Sequence, residues 1–545
     1  MMKDGDWIVL FAEDREFLRI RFSGLYSYRT GEIGLKEYIN KYLDRYNKRD
    51  YYPWHMPGHK RQDVFADDFW EILFRRDFTE AEGLDDLHEP ELFMKDSLEQ
   101  MRRFYGTEKT YMMVNGATGG ILAALFACAP EHARILMGRN CHKSVCHVVS
   151  LLNLEPEYIV PELLPGTDIF ADITPEQIEQ KIQEMKQRGE LPSAVVITSP
   201  TYEGVISDIC GIKNVLVPYD IPLIVDEAHG AHLPFMPKRN LSAVAAGADL
   251  VIQSTHKTLP ALTQTALLHV NRKDLIPRVE RYLHIFQTSS PSYLFTQSME
   301  KAVVYAVNHP EVFDAYRKRL KHFRKKCKEL KHIRLLQPKQ TCYAYDKCKL
   351  VFTVTGIYPE NMDNTDGQKY EKATGPWLAH VLAENFHQVV EMAGAQHVIV
   401  MTSFADKRKA FDRLYEVLKQ IDSELEEASD EAGRDAIREY DTDLTLPETE
   451  DAVLFNTRFH LPEQIMTPGR AWTFDSSRKK LTEAEGCTAA DYVYAYPPGT
   501  SVIVPGERID AQVIRDIIHM VETGLNMIGV ECPPDGIYIQ VIKML

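Results

Sequence analysis

Short apolar runs alternate with helical stretches between residues 105 and 270 of the chain. Strands are predicted at seven of these runs, which read TYMMV, ARILM, EYIV, AVVIT, PLIV, DLVIQ and ALLHV. Helices are predicted between several of them, for example at ATGGILAALFACA and at the charged TPEQIEQKIQEMKQRG. Strands that alternate with helices form a mostly parallel sheet covered on both faces. The pattern therefore predicts a large α/β domain whose ligands bind at loops after the carboxyl ends of the strands.

The 545 residues are too many for a single core, so we expect further domains beside the large one. We assign residues 1–35 to an N-terminal arm and residues 36–310 to the large domain with its lead-in segment. A second α/β pattern, with the strands KLVFTVTG and HVIVMTS, predicts a small domain at 311–422. A strongly charged stretch follows, which is typical of a solvated helix and linker. Residues 423–545 are therefore assigned to a linker and a C-terminal domain.

The chain carries 63 Lys and Arg against 79 Asp and Glu, a formal net charge of −16. A surface of this sign repels nucleic acid and anionic membranes. The N-terminus lacks the features of a signal peptide, and no run approaches the roughly 20 apolar residues that cross a bilayer. The nine cysteines are odd in number and scattered, unlike a secreted disulfide framework. We therefore expect a cytoplasmic protein that binds neither nucleic acid nor membranes.

Lys257, in the stretch QSTHKTL, follows the apolar run DLVIQ and precedes another segment that avoids charge. A buried ammonium is costly, and in apolar surroundings its pKa falls until the amine is neutral and nucleophilic. Lys257 is thus a candidate Schiff-base lysine. The alternative is a lysine whose stem lies along the protein while its head reaches water.

Three other loops carry candidate residues at the same predicted edge of the sheet. Small residues in VNGATGG open an apolar helix, where backbone N–H groups can approach a phosphate. Asp226 ends a buried strand, where a carboxylate needs a cation or caps the following turn. His142 lies at a loop tip, where its ring could stack on a flat cofactor. The coincidence of these loops favours a cofactor site over four unrelated features.

A metal site is the rival chemistry. Asp226, His229 and His232 recur at three-residue spacing, but Gly230 disfavours the helix that would align them. The HMPGH stretch also spaces two histidines, in what its Pro and Gly indicate is a loop. Cys141 and Cys146 have no second pair near them in sequence. We predict no bound metal.

Several motifs of the chain resemble those of the pyridoxal-phosphate-dependent Orn/Lys/Arg decarboxylases. They are, in order, NGATGG, NCHKS, SPTYEG, DEAHG and STHK, with HMPGHK near the start and YPPG…PGE near the end. The resemblance covers most of the chain from about residue 36 onward. It implies the aminotransferase-like fold type I, with smaller α/β C-terminal domains and without the N-terminal wing domain of the larger members. It also implies pyridoxal 5'-phosphate as cofactor and decarboxylation of a basic amino acid.

The resemblance implies a role for each matching residue. Lys257 matches the Schiff-base lysine, Asp226 the partner of the pyridine nitrogen, and His142 the residue stacked on the ring. Ala228 matches the small residue behind the ring, and His229 stands where some members have tryptophan. His256 and Lys257 are the candidates for returning a proton to the substrate. The residues that match the phosphate cradle are Gly116, Ala117, Thr118, Ser254 and His256.

Two further residues concern assembly and substrate. Thr288 matches a residue that reaches an active site of a neighbouring subunit, which implies a homodimer or higher homo-oligomer with shared sites. Glu483 stands where an acidic residue recognises the distal cation of the substrate. The chain departs from the family at Ala117, often a hydroxyl residue, and in the segments GCTAADY and TSV near the end. These departures leave arginine, lysine and ornithine open as substrates. An aminotransferase, a metal hydrolase and a non-catalytic regulator of a decarboxylase remain the alternatives.

Overall fold

The computed structural model describes residues 9–11, 17–19, 51–55, 58–60, 77–80, 83–236, 240–338, 341–359, 370–431, 460–496 and 499–543. The chain divides into two compact units, Met1–Asp50 and Tyr51–Leu545. In the first unit, strand β1 (Val9–Phe11) pairs antiparallel with β2 (Phe17–Arg19), a pairing that the sequence did not predict. The helical pattern expected from Lys36 lies outside the described residues.

The second unit is built around a seven-stranded sheet. The first strands of this unit are β3 (Tyr52–Trp54), β4 (Lys109–Met113), β5 (Arg134–Gly138), β6 (Glu155–Ile159), β7 (Val195–Thr198), β8 (Val205–Ile206), β9 (Leu223–Asp226), β10 (Leu250–Gln253) and β11 (Ala266–Val270). The sheet has the order β4-β11-β10-β9-β7-β5-β6, so β3 and β8 lie outside it. Neighbours from β10 to β6 are parallel, and β11 is antiparallel to both β10 and β4. All seven predicted strands are confirmed, and the carboxyl ends of six share one edge.

Both faces of this sheet are buried. Ile224 and Ile252 belong to one apolar cluster, whereas Val225 and Val251 belong to another. Successive strand residues point to opposite faces, so the runs are apolar throughout because helices cover each side. The helices up to residue 326 are α1 (Phe93–Tyr105), α2 (Gly116–Cys128), α3 (Lys143–Leu151), α4 (Pro175–Gln187), α5 (Ile209–Leu216), α6 (Thr255–Thr258), α7 (Ile276–Phe286), α8 (Tyr293–Asn308) and α9 (Pro310–Lys326).

A smaller four-stranded antiparallel sheet follows, with the order β12-β14-β19-β18. The strands of this region are β12 (Ile333–Leu335), β13 (Ala344–Tyr345), β14 (Lys349–Val354), β15 (Ile357–Pro359), β16 (Tyr370–Lys372), β17 (Gln388–Val390), β18 (Met392–Ala393) and β19 (His397–Met401). Its helices are α10 (Gly375–Glu384) and α11 (Arg408–Glu431). Strand β13 pairs with β8 and β17 pairs with β3, which ties this region to the large domain and its lead-in. Helix α11 continues past residue 422, where we placed a boundary.

The last region has two three-stranded antiparallel sheets around a separate apolar cluster. Its elements are α12 (Pro468–Ala471), β20 (Ser476–Lys480), β21 (Val493–Ala495), β22 (Thr500–Ile503), α13 (Ala511–Glu522), β23 (Met527–Ile528), β24 (Val530–Glu531) and β25 (Tyr538–Ile542). A buried pair fixes this region to the large domain, because Arg139 donates two hydrogen bonds of 2.8 Å to the carboxylate of Glu507. Among the described helices, none is both long and apolar enough to span a bilayer.

Candidate active site

Lys257 lies on the single helical turn α6, directly after the carboxyl end of β10. The side chain is partly buried, and its Nζ lies 2.9 Å from Nε2 of His229. Burial lowers the pKa of Lys257, while the carboxylates of Asp226 and Glu391 act in the opposite direction. An amine with a lowered pKa is deprotonated more often near neutral pH and is a better nucleophile. The position suits a covalent bond to an aldehyde.

Asp226 is the last residue of β9, the strand next to β10. The residue is 4% exposed, and its Oδ1 accepts a hydrogen bond of 3.1 Å from the N–H of the small, buried Ala228. Burial raises the pKa of Asp226, and the nearby charge of Lys257 lowers it. A buried carboxylate of this kind is stabilised by a cation. A protonated pyridine nitrogen would supply one.

His142 begins helix α3 at the end of the neighbouring loop. Its Nδ1 accepts a hydrogen bond of 3.2 Å from the N–H of Ser144 and lies 2.8 Å from the hydroxyl of the same residue. Burial, and then the charge of Lys257, lower the pKa of His142 to about 3. The ring is therefore neutral at physiological pH, and its two bonds to Ser144 fix its plane. A flat neutral ring can stack on an aromatic cofactor.

The N-terminus of α2 offers a site for a phosphate. Gly116 has a φ of 70°, in the left-handed region that favours glycine. Asn115 precedes it but does not cap the helix, because its side chain donates to the carbonyl of Phe286 at 2.9 Å. The first N–H groups of the helix, next to Ala117 and the exposed hydroxyl of Thr118, are thus available to an anion.

Ser254 and His256 flank the same edge of the sheet. Ser254 is buried at the start of α6, where its hydroxyl does not cap the turn. The Nδ1–H of His256 donates to the carbonyl of Thr265 at 2.9 Å, which leaves Nε2 able to take up a proton beside an anion. Burial lowers the pKa of His256 to about 4. Their part in a phosphate site stays a prediction.

The HMPGHK stretch supports the Lys257 turn, although Met56 and Pro57 lie outside the described residues. The N–H of Gly58 donates to the carbonyl of His256 at 2.7 Å, and a Cβ at Gly58 would lie 2.8 Å from the carbonyl carbon of Thr258. Lys60 is buried and donates to three backbone carbonyls, at 2.6 to 3.2 Å. In this stretch the glycine allows close approach and the lysine holds the loop in place.

Lys349, the first residue of β14, was missed by the sequence analysis. It is 1% exposed, and its Nζ lies 2.9 Å from Nδ1 of His229. His229 therefore lies between two lysines, since Lys257 contacts its other ring nitrogen. The ring of Tyr202 packs on His229 with centroids 4.4 Å apart, and its hydroxyl donates to Glu391 at 2.6 Å. The sequence feature that could have indicated this buried lysine is its position at the start of the apolar run KLVFTV.

The rival metal set is divided among separate partners. Asp226 bonds to the backbone, His229 lies between the lysines, and Nε2 of His232 lies 3.2 Å from Asp346. Among the described residues, His232, Asp346 and Cys348 are close enough together to share an ion. The buried pair of His232 and Asp346 accounts for their positions without one.

Thr288 and Glu483 both lie on exposed turns. The carbonyl of Thr288 accepts a hydrogen bond of 3.0 Å from His88, and its hydroxyl accepts one of 3.2 Å from Ser290. Glu483 ends a short 3-10 turn at the edge of the last region. Among the hydrogen bonds that the structure describes within one chain, neither side chain bonds to Lys257, Asp226 or His142. Both assigned roles stay predictions, and that of Thr288 depends on an assembly of chains.

The GCTAADY segment, where the sequence departs from the family, packs against α3. It ends at Tyr492, whose hydroxyl donates to the carbonyl of Cys146 at 2.9 Å and lies 2.6 Å from the hydroxyl of Ser150. Since α3 begins at His142, this segment supports the helix that carries the candidate stacking residue.

The residues at this edge fit pyridoxal phosphate by their chemistry. Lys257 offers an amine for the aldehyde, Asp226 a buried carboxylate for the ring nitrogen, and His142 a neutral ring for stacking. The uncapped N-terminus of α2 suits the phosphate. Each group comes from a different loop after a strand of the same sheet.

Comparison with known proteins identifies the family of the chain. Residues 39–410 match the family model of the Orn/Lys/Arg decarboxylase major domain, and residues 452–540 match that of its C-terminal domain. The uncharacterized protein YaaO of Bacillus subtilis (strain 168) is 28% identical over 90% of this chain and 95% of its own length. An arginine decarboxylase of the same organism is 28% identical over 90% of this chain and 94% of its own.

A crystal structure shares the fold. The lysine decarboxylase LdcF of Francisella novicida superposes with a TM-score of 0.71 at 22% identity, covering 89% of this chain and 77% of that one. The family match, which spans most of the chain, defines the cofactor as pyridoxal phosphate and the activity as amino-acid decarboxylation. The chain belongs to the Orn/Lys/Arg decarboxylase family.

Proposed function

We propose that the protein removes the α-carboxylate of a basic L-amino acid, and that arginine is the first substrate to test. The observation that carries the proposal is the Lys257 amine beside the buried Asp226, at the ends of adjacent parallel strands. The choice of arginine is supported by the Bacillus subtilis relative, which is named arginine decarboxylase and is matched over 94% of its length. The amine product would be a precursor of polyamines.

Each residue near the ring has a defined task in this proposal. Pyridoxal phosphate, when bound, accepts the electron pair that remains as carbon dioxide leaves. Lys257 attaches the cofactor, and Asp226 holds the proton on the pyridine nitrogen. His142 packs on one face of the ring, and Ala228 leaves room on the other. Lys257 Nζ or His256 Nε2 then returns a proton to the substrate Cα.

The phosphate is held by backbone and hydroxyl groups. The N–H groups of Gly116, Ala117 and Thr118 point from a helix N-terminus, whose partial positive charge favours an anion. Ser254 adds a side-chain donor, and protonated Nε2 of His256 would add a second where Lys257, and not His256, returns the proton to Cα. Since Ala117 lacks a hydroxyl, its backbone N–H serves in its place.

Assembly and location complete the proposal. We place the protein in the cytoplasm as a homodimer or higher homo-oligomer, in which Thr288 completes the partner's site and Glu483 binds the distal cation of the substrate. A chain with Lys257→Ala mixed with a chain with Thr288→Arg would form one site with both native residues. Partial recovery of activity is expected. No recovery in chains shown to exchange subunits would contradict the shared site.

Incubation of the purified protein with arginine, lysine or ornithine tests the activity. Chromatography identifies the amine formed, and release of carbon dioxide is measured in parallel. We expect one amine and an equal amount of carbon dioxide, with neither from the Lys257→Ala variant. A keto acid without carbon dioxide would instead identify an aminotransferase.

A further inference from the structure

His229 bridges two lysine side chains inside the site. Its Nε2 lies 2.9 Å from Nζ of Lys257, and its Nδ1 lies 2.9 Å from Nζ of Lys349. The ring is 4% exposed and is held by Tyr202 on one face. The stem of Lys349 is fixed as well, because a Cβ at Gly204 would lie 2.8 Å from its Cγ. The three groups therefore keep one geometry.

A neighbouring carboxylate stabilises the proton on Lys349. Burial lowers the pKa of Lys349 to about 8, with Asp346 raising it against that effect. Burial would raise the pKa of Asp346, but His232 and Lys349 bring it down to about 2, so this carboxylate stays ionised. An amine with a pKa near 8 is mostly protonated at pH 7. Lys349 is thus an ammonium that must donate.

These contacts define which ring nitrogen carries the proton. Burial keeps the pKa of His229 well below its usual range, and the charge of Lys349 lowers it further, so the ring is neutral. A neutral imidazole has one N–H and one acceptor nitrogen. Because the Lys349 ammonium can only donate, Nδ1 is the acceptor and Nε2 carries the proton. Nε2–H then donates to Nζ of Lys257, which accepts only as a free amine.

We propose that Lys349 is a positioning residue that sets the tautomer of His229 and thereby holds Lys257 as a neutral, nucleophilic amine. The inference rests on the proposed role of Lys257 as the residue that attaches the cofactor. It adds a function for a second buried lysine, which acts through His229.

Two neighbouring carboxylates oppose the effect of burial on Lys257. Asp226 and Glu391 both favour the ammonium form of Lys257. We call the contacts from Lys349 through His229 to Lys257 the relay. The relay opposes the two carboxylates, because Nε2–H of His229 donates to the Lys257 amine and the Lys349 ammonium adds a positive charge nearby. The titratable and charged groups that face Lys257 are Asp226, Glu391, His142, His229, His256 and Lys349.

Competitive labelling of the cofactor-free protein measures the proton on Lys257 directly. A trace of acetic anhydride is added at a series of pH values, and mass spectrometry quantifies acetylation of Lys257. Lys349→Met is expected to move the midpoint of labelling upward by about one pH unit, so labelling below the midpoint slows about tenfold. Lys347→Met is the matched control, since Lys347 is exposed two residues earlier, and it is expected to leave the midpoint unchanged.

A second variant separates the relay from simple charge repulsion. His229→Asn keeps a polar group that is too short to bridge the amines, and the charge of Lys349 remains. The relay predicts an upward shift in His229→Asn as well, whereas repulsion alone predicts none. An unchanged or lowered midpoint in either variant would overturn the proposal. Because acetylation needs no cofactor, failure of Lys257 to bind pyridoxal phosphate would count against the proposed function and leave this result readable.

Discussion

Asp226→Asn removes a buried charge with little change of shape. Oδ1 of Asp226 accepts the N–H of Ala228 at 3.1 Å, and the amide oxygen of asparagine can accept the same bond. The turn should therefore persist, and the substitution removes only the negative charge that would pair with the ring nitrogen. A preorganised partner in a buried site is worth about 2.7 to 4 kcal/mol, so we expect kcat to fall roughly a hundred- to thousandfold. Amine formation at saturating cofactor and substrate measures it.

Glu227→Gln is the matched control, at the next residue in the chain. Glu227 is fully buried and bonds to Ser242 and Gln253. Burial raises its pKa to about 8, so it is largely protonated at pH 7 and the amide changes the charge little. We expect activity within about threefold of the native protein. If Asp226→Asn also stays within that range, Asp226 only caps its turn and the electrostatic role is wrong.

Three further outcomes are expected. Glu507→Ala removes the carboxylate that pairs with the buried Arg139, so the free energy of unfolding should fall by about 3 to 5 kcal/mol in denaturant titration. Arg508→Ala breaks an exposed ion pair and should lower it by at most about 1 kcal/mol. Because the pKa of Glu227 is raised in the folded state, its stabilising contribution is complete below pH 4.5 and is lost as pH rises through about 8. The difference in unfolding free energy between native protein and Glu227→Gln should shrink over that range, by at most about 5 kcal/mol; a constant difference would contradict it. Glu483→Gln should raise KM for arginine at least about tenfold with an unchanged cofactor spectrum, and an unchanged KM would remove its assigned role.

The strands of the large sheet were predictable because they are buried on both faces. The runs at Leu223–Asp226 and Leu250–Gln253 are apolar until their last residue, and the structure begins and ends them within about two residues of the prediction. The antiparallel direction of β11 was not predictable. Its run ALLHV reads like its neighbours, and the pairing depends on contacts between distant segments.

The candidate site was predictable where its residues follow strands. Lys257, Asp226 and His142 come together because parallel strands end at one edge. Lys349 could not be predicted, because its contact with His229 joins residues 120 positions apart, one in a loop of the large sheet and the other in a strand of the smaller sheet. Thr288 is a different case, since its predicted partner belongs to another chain.

Reduction of the cofactor-loaded protein with borohydride tests the central claim most directly. The reagent fixes an amine-linked pyridoxal phosphate to its lysine, and peptide mass spectrometry identifies that residue. We expect the yellow absorption of the bound cofactor to disappear and its mass to be found on Lys257. Cofactor fixed to Lys349 or another lysine, or no fixed cofactor in a protein that remains colourless with added pyridoxal phosphate, would contradict the account.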